Sequence, residues 1–294
     1  MMRAVRSRAV TLGLWLGAAG LALTGLHCGE GTTGDRRIAL TAAVRGARAE
    51  GSTAAGWTVT LTRAALVLGP LRYYADPAVV ARAPLRRLGF SLGTAWAQHC
   101  HDCPAAPVAE FGIVSGGAVH RAVDLLAAQP TDLGPGNARN GTYRSASVAY
   151  APGVTPVGDA ALVASLGGRT LRLEGTAVRG EVTVRFAGGF DLGLQRVAGG
   201  GAAPGAERTY TAFGIPFGTG AGVFLDTPAE GGPRAPRTTL VVDPVKLLDQ
   251  VDFAMLPPGE GDAPRSLPTE GQGAAALRLG AEDPRSYRVE YAPE

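Results

Sequence analysis

The sequence predicts an all-β fold: an antiparallel β-sandwich with few short helical turns. Apolar and polar residues alternate in many short segments, of which Trp57-Thr58-Val59-Thr60-Leu61-Thr62 is the clearest. Such alternation sends one set of side chains into a core and the other to solvent. Glycine and proline, present as 43 and 21 residues, separate these segments. Helical periodicity is scarce along the chain.

The predicted strands follow one another from Trp57 to Tyr291. They are 57–62, 64–68, 71–74, 142–150, 170–174, 181–186, 209–213, 238–242 and 287–291. Gly69-Pro70 breaks the chain between the second and third of these strands. Regular short strands with turn residues between them are typical of a sandwich, immunoglobulin-like or related.

Helical signals are limited to two segments. Pro84 interrupts the first, over residues 77–88. In the second, Asp243-Pro244-Val245-Lys246-Leu247-Leu248, an aspartate precedes a proline at the first helical position, which predicts one capped turn. Most aspartates lie at the ends of predicted strands and turns, where a carboxylate caps backbone amides. We predict this structural role for Asp124, Asp132, Asp191, Asp226, Asp243, Asp249 and Asp252.

The first thirty residues have the layout of a bacterial export signal. Arg3, Arg6 and Arg8 precede an uncharged run over residues 9–26, and Cys28 follows it. Basic, apolar and cleavable regions in this order are typical of a signal peptide, and a cysteine that closes the run indicates lipid attachment. The sequence therefore divides into three parts: a signal peptide (1–27), a flexible tether (28–37) and a single β-sandwich domain (38–294).

The end of the apolar run resembles the lipobox of bacterial lipoproteins. It departs from that pattern because Gly25 stands three residues before Cys28 and His27 directly before it. The resemblance implies that Cys28 becomes the lipidated N-terminus. Ordinary signal cleavage between residues 22 and 27 remains open, as does an uncleaved anchor, although a spanning helix needs about 20 apolar residues. Each alternative predicts an exported domain on the periplasmic side or outer surface of the envelope.

Export also explains the charge of the chain. The formal net charge is +3, from 28 Lys+Arg and 25 Asp+Glu, and residues 1–27 hold three arginines and no acid. Removal of the signal leaves 25 basic and 25 acidic residues, so the mature chain is neutral. No nucleic-acid partner is expected, because such a partner requires a clustered basic face.

Chemically reactive side chains concentrate in Gln98-His99-Cys100-His101-Asp102-Cys103-Pro104. In an extended segment alternate side chains share a face, which groups His99, His101 and Cys103. Imidazole and thiolate ligands suit Cu or Zn. His120 would supply a fourth ligand if the chain folds back. We therefore hypothesise a Cu or Zn site formed by His99, His101, Cys103 and His120.

A disulfide is the alternative for the two cysteines. Exported proteins meet an oxidising compartment, and with Cys28 attached to lipid, Cys100 and Cys103 form an even pair. Such a disulfide leaves His99 and His101 either to bind metal or to be surface histidines of an irregular loop. A redox dithiol is less favoured, because no β-α-β pattern precedes the cysteines.

Four further segments resemble those of exported bacterial β-sandwich lipoproteins without an assigned activity. They are Gly56–Leu61, Leu68–Leu71, Val242–Pro244 and Val251–Phe253. More distantly, the chain is similar to periplasmic copper-handling lipoproteins, and this resemblance implies copper binding.

The sequence thus predicts a non-catalytic cell-envelope lipoprotein that is held to the membrane by its lipid and binds Cu or Zn. One alternative is a lipoprotein with a structural role or an unidentified protein partner, and no metal. A metal-dependent enzyme is the third and least favoured alternative. The reason is that no general acid or base can be nominated beside the histidines.

Overall fold

Strands dominate the fold, and the predicted all-β sandwich class is confirmed. The structure is a computed structural model in which residues 37–75, 107–114, 117–150, 153–192, 210–217, 222–225 and 237–292 are described. Within these ranges lie twenty strands, two α-helices and three turns of 3-10 helix.

The elements are numbered in chain order. The strands are β1 (Arg37–Ile38), β2 (Thr41–Gly46), β3 (Glu50–Ser52), β4 (Thr58–Leu68), β5 (Leu71–Tyr74), β6 (Ala109–Phe111), β7 (Ile113–Val114), β8 (Gly117–Ala118), β9 (Arg121–Asp124), β10 (Thr131–Pro135), β11 (Asn137–Arg139), β12 (Gly141–Tyr143), β13 (Ser145–Tyr150), β14 (Leu171–Arg179), β15 (Val182–Phe190), β16 (Tyr210–Pro216), β17 (Val223–Leu225), β18 (Arg237–Val242), β19 (Arg265–Ser266) and β20 (Tyr287–Ala292). The helices are α1 (Ala160–Leu166) and α2 (Gly271–Glu282), and the 3-10 turns are η1 (Lys246–Leu248), η2 (Phe253–Met255) and η3 (Pro284–Ser286).

Three sheets contain most of these strands. Sheet I has the order β1-β11-β6-β5-β13-β16, sheet II the order β10-β2-β18-β20, and sheet III the order β19-β15-β14-β4-β3, with β9 also paired to β4. The pairs β2–β18 and β15–β19 are parallel, so the sheets are mixed rather than purely antiparallel. Buried side chains of all three sheets form one core, for example Val148, Val44 and Leu66.

β4 is one eleven-residue strand where the sequence predicted two. Its register with β14 shifts at Thr62, which is the extra residue of a β-bulge. Thr62 and Arg63 are therefore both exposed, whereas Leu61 and Ala64 on either side are buried. The bulge changes the phase of the alternation, and that change of phase produced the predicted break.

The chain passes from sheet III to sheet I at Gly69-Pro70. This is the break that the sequence predicted between the strands over 64–68 and 71–74. A Cβ at Gly69 would lie 2.6 Å from the carbonyl oxygen of Ala149 and 3.0 Å from Nε2 of His120, so the corner requires glycine. Pro70 has no N–H to continue a strand ladder. β5 then enters sheet I between β6 and β13.

The other predicted strands are present with shifted ends. Segments 170–174 and 181–186 extend into β14 and β15, which are joined at Gly180, where φ is 60°. The predicted strand over 142–150 divides at Arg144 into β12 and β13. The last three predicted strands correspond to β16, β18 and β20.

The predicted turn after Asp243 is confirmed, whereas the two α-helices were not predicted. Oδ1 of Asp243 accepts hydrogen bonds from the N–H groups of Val245 (3.1 Å) and Lys246 (3.2 Å). α1 begins after Asp159, whose carboxylate caps the helix, and ends at Gly167 in the left-handed conformation. The predicted interruption over 77–88 lies outside the described residues.

The structural role predicted for the aspartates is confirmed wherever these residues are described. Backbone N–H groups donate to their carboxylates at 2.8–3.3 Å, and the acceptors are Asp124, Asp132, Asp191, Asp243, Asp249 and Asp252. Asp226 lies outside the described residues. These carboxylates fix turns and, at Asp132, the bulge within β10.

Buried tyrosine hydroxyls connect separate elements of the fold. Tyr73 of sheet I donates to Oγ1 of Thr238 in sheet II at 2.8 Å. Tyr150 donates to the hydroxyl of Tyr287 at 2.5 Å, and Tyr287 donates in turn to the carbonyl of Ala281 at 2.7 Å. Each hydroxyl is thereby paired in an apolar environment, which avoids the cost of an unsatisfied buried polar group.

We expect these tyrosines to destabilise the fold at alkaline pH. Burial raises the pKa of Tyr73, Tyr150 and Tyr287 above the ordinary value of 10, and that of Tyr143 to about 12. Because the unfolded chain ionises first, stability is complete below pH 10 and falls as the pH rises through the folded-state pKa values. Phenolate absorbance and circular dichroism should change together. Ionisation of all seven tyrosines near pH 10 with unchanged dichroism would contradict this.

Candidate functional site

Of the residues predicted to bind metal, to form a disulfide or to carry lipid, the structure describes His120. Outside the described ranges lie Cys28, His99, Cys100, His101 and Cys103. His120 is described, and it lies directly before β9. The lipidation site, the disulfide and three of the four hypothesised metal ligands therefore stay predictions.

The segment that carries the His/Cys cluster connects two neighbouring strands of sheet I. β5 pairs with β6 in antiparallel fashion, with Tyr73 opposite Ala109 and Leu71 opposite Phe111. The N–H of Val108 continues the ladder by donating to the carbonyl of Tyr73 at 2.8 Å. Residues 76–106 thus leave and re-enter the sheet at one end of the same strand pair.

His120 is buried, with 8% of its surface exposed. Its imidazole packs against Gly69, and its Nδ1 has no hydrogen-bond partner among the described residues. Burial lowers the pKa of the imidazole below 6.5, because the protonated form loses its hydration. The backbone carbonyl of His120 accepts from the N–H of Val157 at 2.8 Å, which fixes the residue in place. At neutral pH this gives a neutral imidazole, the form that binds metal.

His120 and the His/Cys segment are connected to opposite ends of the β5–β6 pair. Gly69, on which His120 packs, lies two residues before the start of β5, whereas residues 76–106 follow its end at Tyr74. The five residue steps from Gly69 to Tyr74 span about 16 Å in extended chain. A metal site shared by His120 and Cys103 therefore requires the chain before β6 to run back along the sheet.

A groove of about 380 Å³ lies between the β4 bulge and α1. Thr62 and Arg63 line it from the bulge, Asp124 from the end of β9, and Asp159 and Ser165 from α1. The helix is held over the sheet by a small apolar cluster of its own. This cluster contains Ala65, Val67, Ala122 and Leu166.

Four of the polar residues that line the groove have partners: Arg63, Asp124, Asp159 and Ser165. Oδ1 of Asp124 accepts from the N–H of Leu126 at 2.9 Å, and Oδ1 of Asp159 accepts from a backbone N–H of α1. The hydroxyl of Ser165 donates to a carbonyl of the same helix at 2.7 Å, so no base activates it. Arg63 lies 3.7 Å from Glu174. The groove is polar and of mixed charge, and among its described lining residues no nucleophile is paired with a base.

The sequence contains the capping residues of the helix that forms one side of this groove. Asp159 at the start of α1 and Gly167 after its end are the usual N-cap and C-cap residues of a helix. Between them stand only seven residues, and their alanine-rich pattern gives little periodicity. The bulge at Thr62 is visible only as a break in the alternation.

No described group of three or more His, Cys, Asp or Glu side chains is placed to hold a metal ion. The described helices are also too short or too polar to cross a membrane. No family model matches the chain, and no curated protein or solved structure is significantly similar to it. Its function is therefore inferred from its own residues.

Proposed function

We propose that this chain is a non-catalytic lipoprotein of the bacterial cell envelope, anchored by lipid at Cys28, whose β-sandwich carries one Cu or Zn ion. The observation that supports this is the pairing of β5 with β6, which ties both ends of residues 76–106 to one sheet. The His/Cys cluster is thereby attached to a rigid scaffold as a single insertion. Loops on rigid scaffolds commonly carry binding sites.

The donor atoms of the insertion favour this metal class. His99 and His101 supply imidazole nitrogens and Cys103 supplies a thiolate, which are donors for Cu and Zn rather than for Ca or Mg. Cys103 precedes Ala109, the first residue of β6, by only six positions in the sequence. Nδ1 of His120 has no hydrogen-bond partner in the described part of the chain, which supports its candidacy as the fourth ligand.

We expect the mature protein to bind about one equivalent of Cu or Zn at neutral pH. Binding should weaken as the pH falls through ~6.5, because a protonated imidazole has no lone pair for the metal. The double variant His99→Ala/His101→Ala should lose binding. Equilibrium dialysis followed by elemental analysis measures this directly.

Two controls assign the remaining ligands. His120→Ala should weaken binding as strongly as the double variant if His120 is the fourth ligand, and leave it unchanged if its role is packing on Gly69. Titration of thiols separates ligation from a disulfide: two free thiols in the metal-stripped protein support ligation by Cys103, whereas none supports a Cys100–Cys103 disulfide beside histidine ligands. If the wild type binds metal no better than the double variant, only a structural or partner-binding envelope protein remains.

A further inference from the structure

We propose that the groove between the β4 bulge and α1 binds a free apolar α-amino acid as its zwitterion. The ammonium of the ligand lies between the carboxylates of Asp124 and Asp159, and its carboxylate lies at the guanidinium of Arg63. This inference goes beyond the proposed function, because it concerns a second site that uses none of the hypothesised metal ligands.

Strand register places Arg63 and Asp124 on the same face of sheet III. Ala65 of β4 lies directly opposite Asp124 of β9, and Arg63 precedes Ala65 by two residues. Alternate residues of a strand share a face, and Ala65 belongs to the apolar cluster that holds α1. Arg63 and Asp124 are thus diagonal neighbours beside α1. Such neighbours are about 7–8 Å apart, which is within reach of long side chains.

The two opposite charges do not pair with each other. Arg63 lies 3.7 Å from Glu174 instead, and that carboxylate already accepts from Nε of Arg172 at 2.8 Å. Among the described residues, none accepts a hydrogen bond from Arg63 and none forms an ion pair with Asp124. The groove therefore has a cation and an anion on its lining that both retain capacity to bind a ligand.

Asp159 adds a second carboxylate beside the first. The chain that leads into α1 runs parallel to β9, because the N–H of Ala122 donates to the carbonyl of Val157 at 2.9 Å. Asp124 and Asp159 both line the groove as a result. Each uses Oδ1 for a backbone N–H, and Oδ2 of each has no partner in the described part of the chain. An ammonium has three N–H donors, so it can serve both free oxygens.

The mixture of charges determines the class of ligand. A simple cation would be attracted by Asp124 and Asp159 but repelled by Arg63, and a simple anion would meet the reverse. A zwitterion satisfies both signs at once. Charge-assisted hydrogen bonds to carboxylate and guanidinium groups are the strong ones in proteins.

The size and floor of the groove favour a single amino acid with an apolar side chain. Its volume of about 380 Å³ is near the lower end of the range for ligand sites. Ala65 is buried at the floor, and Leu126 and Leu162 line the groove while half-buried. An aliphatic side chain would cover these groups, so L-leucine is the probe.

The test compares leucine with two compounds that each lack one of its charges. Isothermal titration of the full chain in detergent should show binding of L-leucine. Isopentylamine, which lacks the carboxylate, and isocaproate, which lacks the ammonium, should each bind at least about tenfold more weakly. Absence of leucine binding would overturn the proposal, and so would an amine that binds as tightly as leucine.

Two variants with matched controls assign the charges. Arg63→Gln should weaken leucine about tenfold without weakening isopentylamine, and Asp124→Asn should weaken leucine about tenfold without weakening isocaproate. Asparagine keeps the Oδ1 acceptor for the N–H of Leu126. Asp132→Asn is the matched control, because Oδ1 of Asp132 also accepts from the N–H two residues further on at 2.9 Å. Arg288→Gln controls for the loss of an exposed guanidinium, and both controls should keep the wild-type affinity.

The groove is not the binding site if Arg63→Gln binds leucine as tightly as the wild type. Melting temperatures show whether each variant still folds. If Asp124→Asn does not fold, Arg63→Gln and the two half-ligands decide alone. The double variant His99→Ala/His101→Ala should bind leucine normally, because the groove is separate from the proposed metal site. Loss of leucine binding in that variant would overturn the proposal and leave the metal site standing.

Discussion

Replacing Trp57 with alanine is expected to lower the free energy of unfolding by about 3–5 kcal/mol. Trp57 is fully buried and directly precedes β4. Its ring packs edge-to-face on Phe253 of η2, with 5.5 Å between ring centroids. Truncation would leave a large cavity in the core where sheet III meets the turns that follow β18. Urea unfolding followed by circular dichroism measures the loss.

Polar contacts add to this packing. The indole Nε1 donates to Oδ1 of Asp252 at 3.2 Å, and the guanidinium of Arg179 lies 4.3 Å from the centre of the indole ring. Arg179 and Asp252 approach each other to 3.4 Å, so the two charges cover the outer side of the tryptophan. Both are about half exposed, so their own contribution is small.

Milder changes at the same place separate packing from polar contact. Trp57→Phe keeps most of the apolar volume and loses the N–H, and we expect it to cost about 1–2 kcal/mol. Arg179→Ala should cost under about 1 kcal/mol. Asp252→Ala should cost about 1–2 kcal/mol, because it leaves the indole N–H without its acceptor and removes the N-cap of η2. If either charge variant proves as damaging as Trp57→Ala, the burial of the ring is not the main source of stability.

The elements that the sequence predicted best are strands with one face in the core. Alternation in 57–62, 238–242 and 287–291 marks β4, β18 and β20 because one side of each meets apolar neighbours and the other does not. Pairing between distant segments produces no such local pattern of apolar and polar residues. Thus the parallel pair β2–β18 could not be predicted, since its two strands are separated by about two hundred residues and β2, with three consecutive buried residues, does not alternate.

The candidate site was less predictable for a similar reason. The cluster over 99–103 is a feature of local sequence, whereas the burial of His120 depends on Gly69, fifty-one positions away. Residue type therefore indicated the chemistry, and long-range pairing determines where it lies.

Helix α2 was not predicted from the sequence because it contains three glycines. Glycine costs a helix interior about 1 kcal/mol relative to alanine, and α2 contains Gly273 and Gly280 after its first residue. The helix forms because tertiary contacts outweigh that cost. Its buried face packs on η1, and the hydroxyls of Ser286 and Tyr287 donate to its carbonyls at Gly280 and Ala281, both at 2.7 Å.

Gly280→Ala is expected to destabilise the protein by about 1–3 kcal/mol, although alanine is normally the better helix former. A Cβ at Gly280 would lie 2.2 Å from the carbonyl oxygen of Leu247 and 2.7 Å from its carbonyl carbon. Both are backbone atoms of η1, which cannot rotate away as a side chain would. The helix would have to move outward, which would weaken the contacts of Leu277 and Ala281 with the core.

The sign of the change in stability is the test, because steric and conformational effects oppose each other at this position. If the helix had room beside η1, Gly280→Ala would raise the free energy of unfolding by about 1 kcal/mol. Leu279→Ala on the exposed side of the same helix is the control, and it should change stability by less than about 0.5 kcal/mol. A stabilised Gly280→Ala protein in urea unfolding would show that α2 does not pack closely on η1.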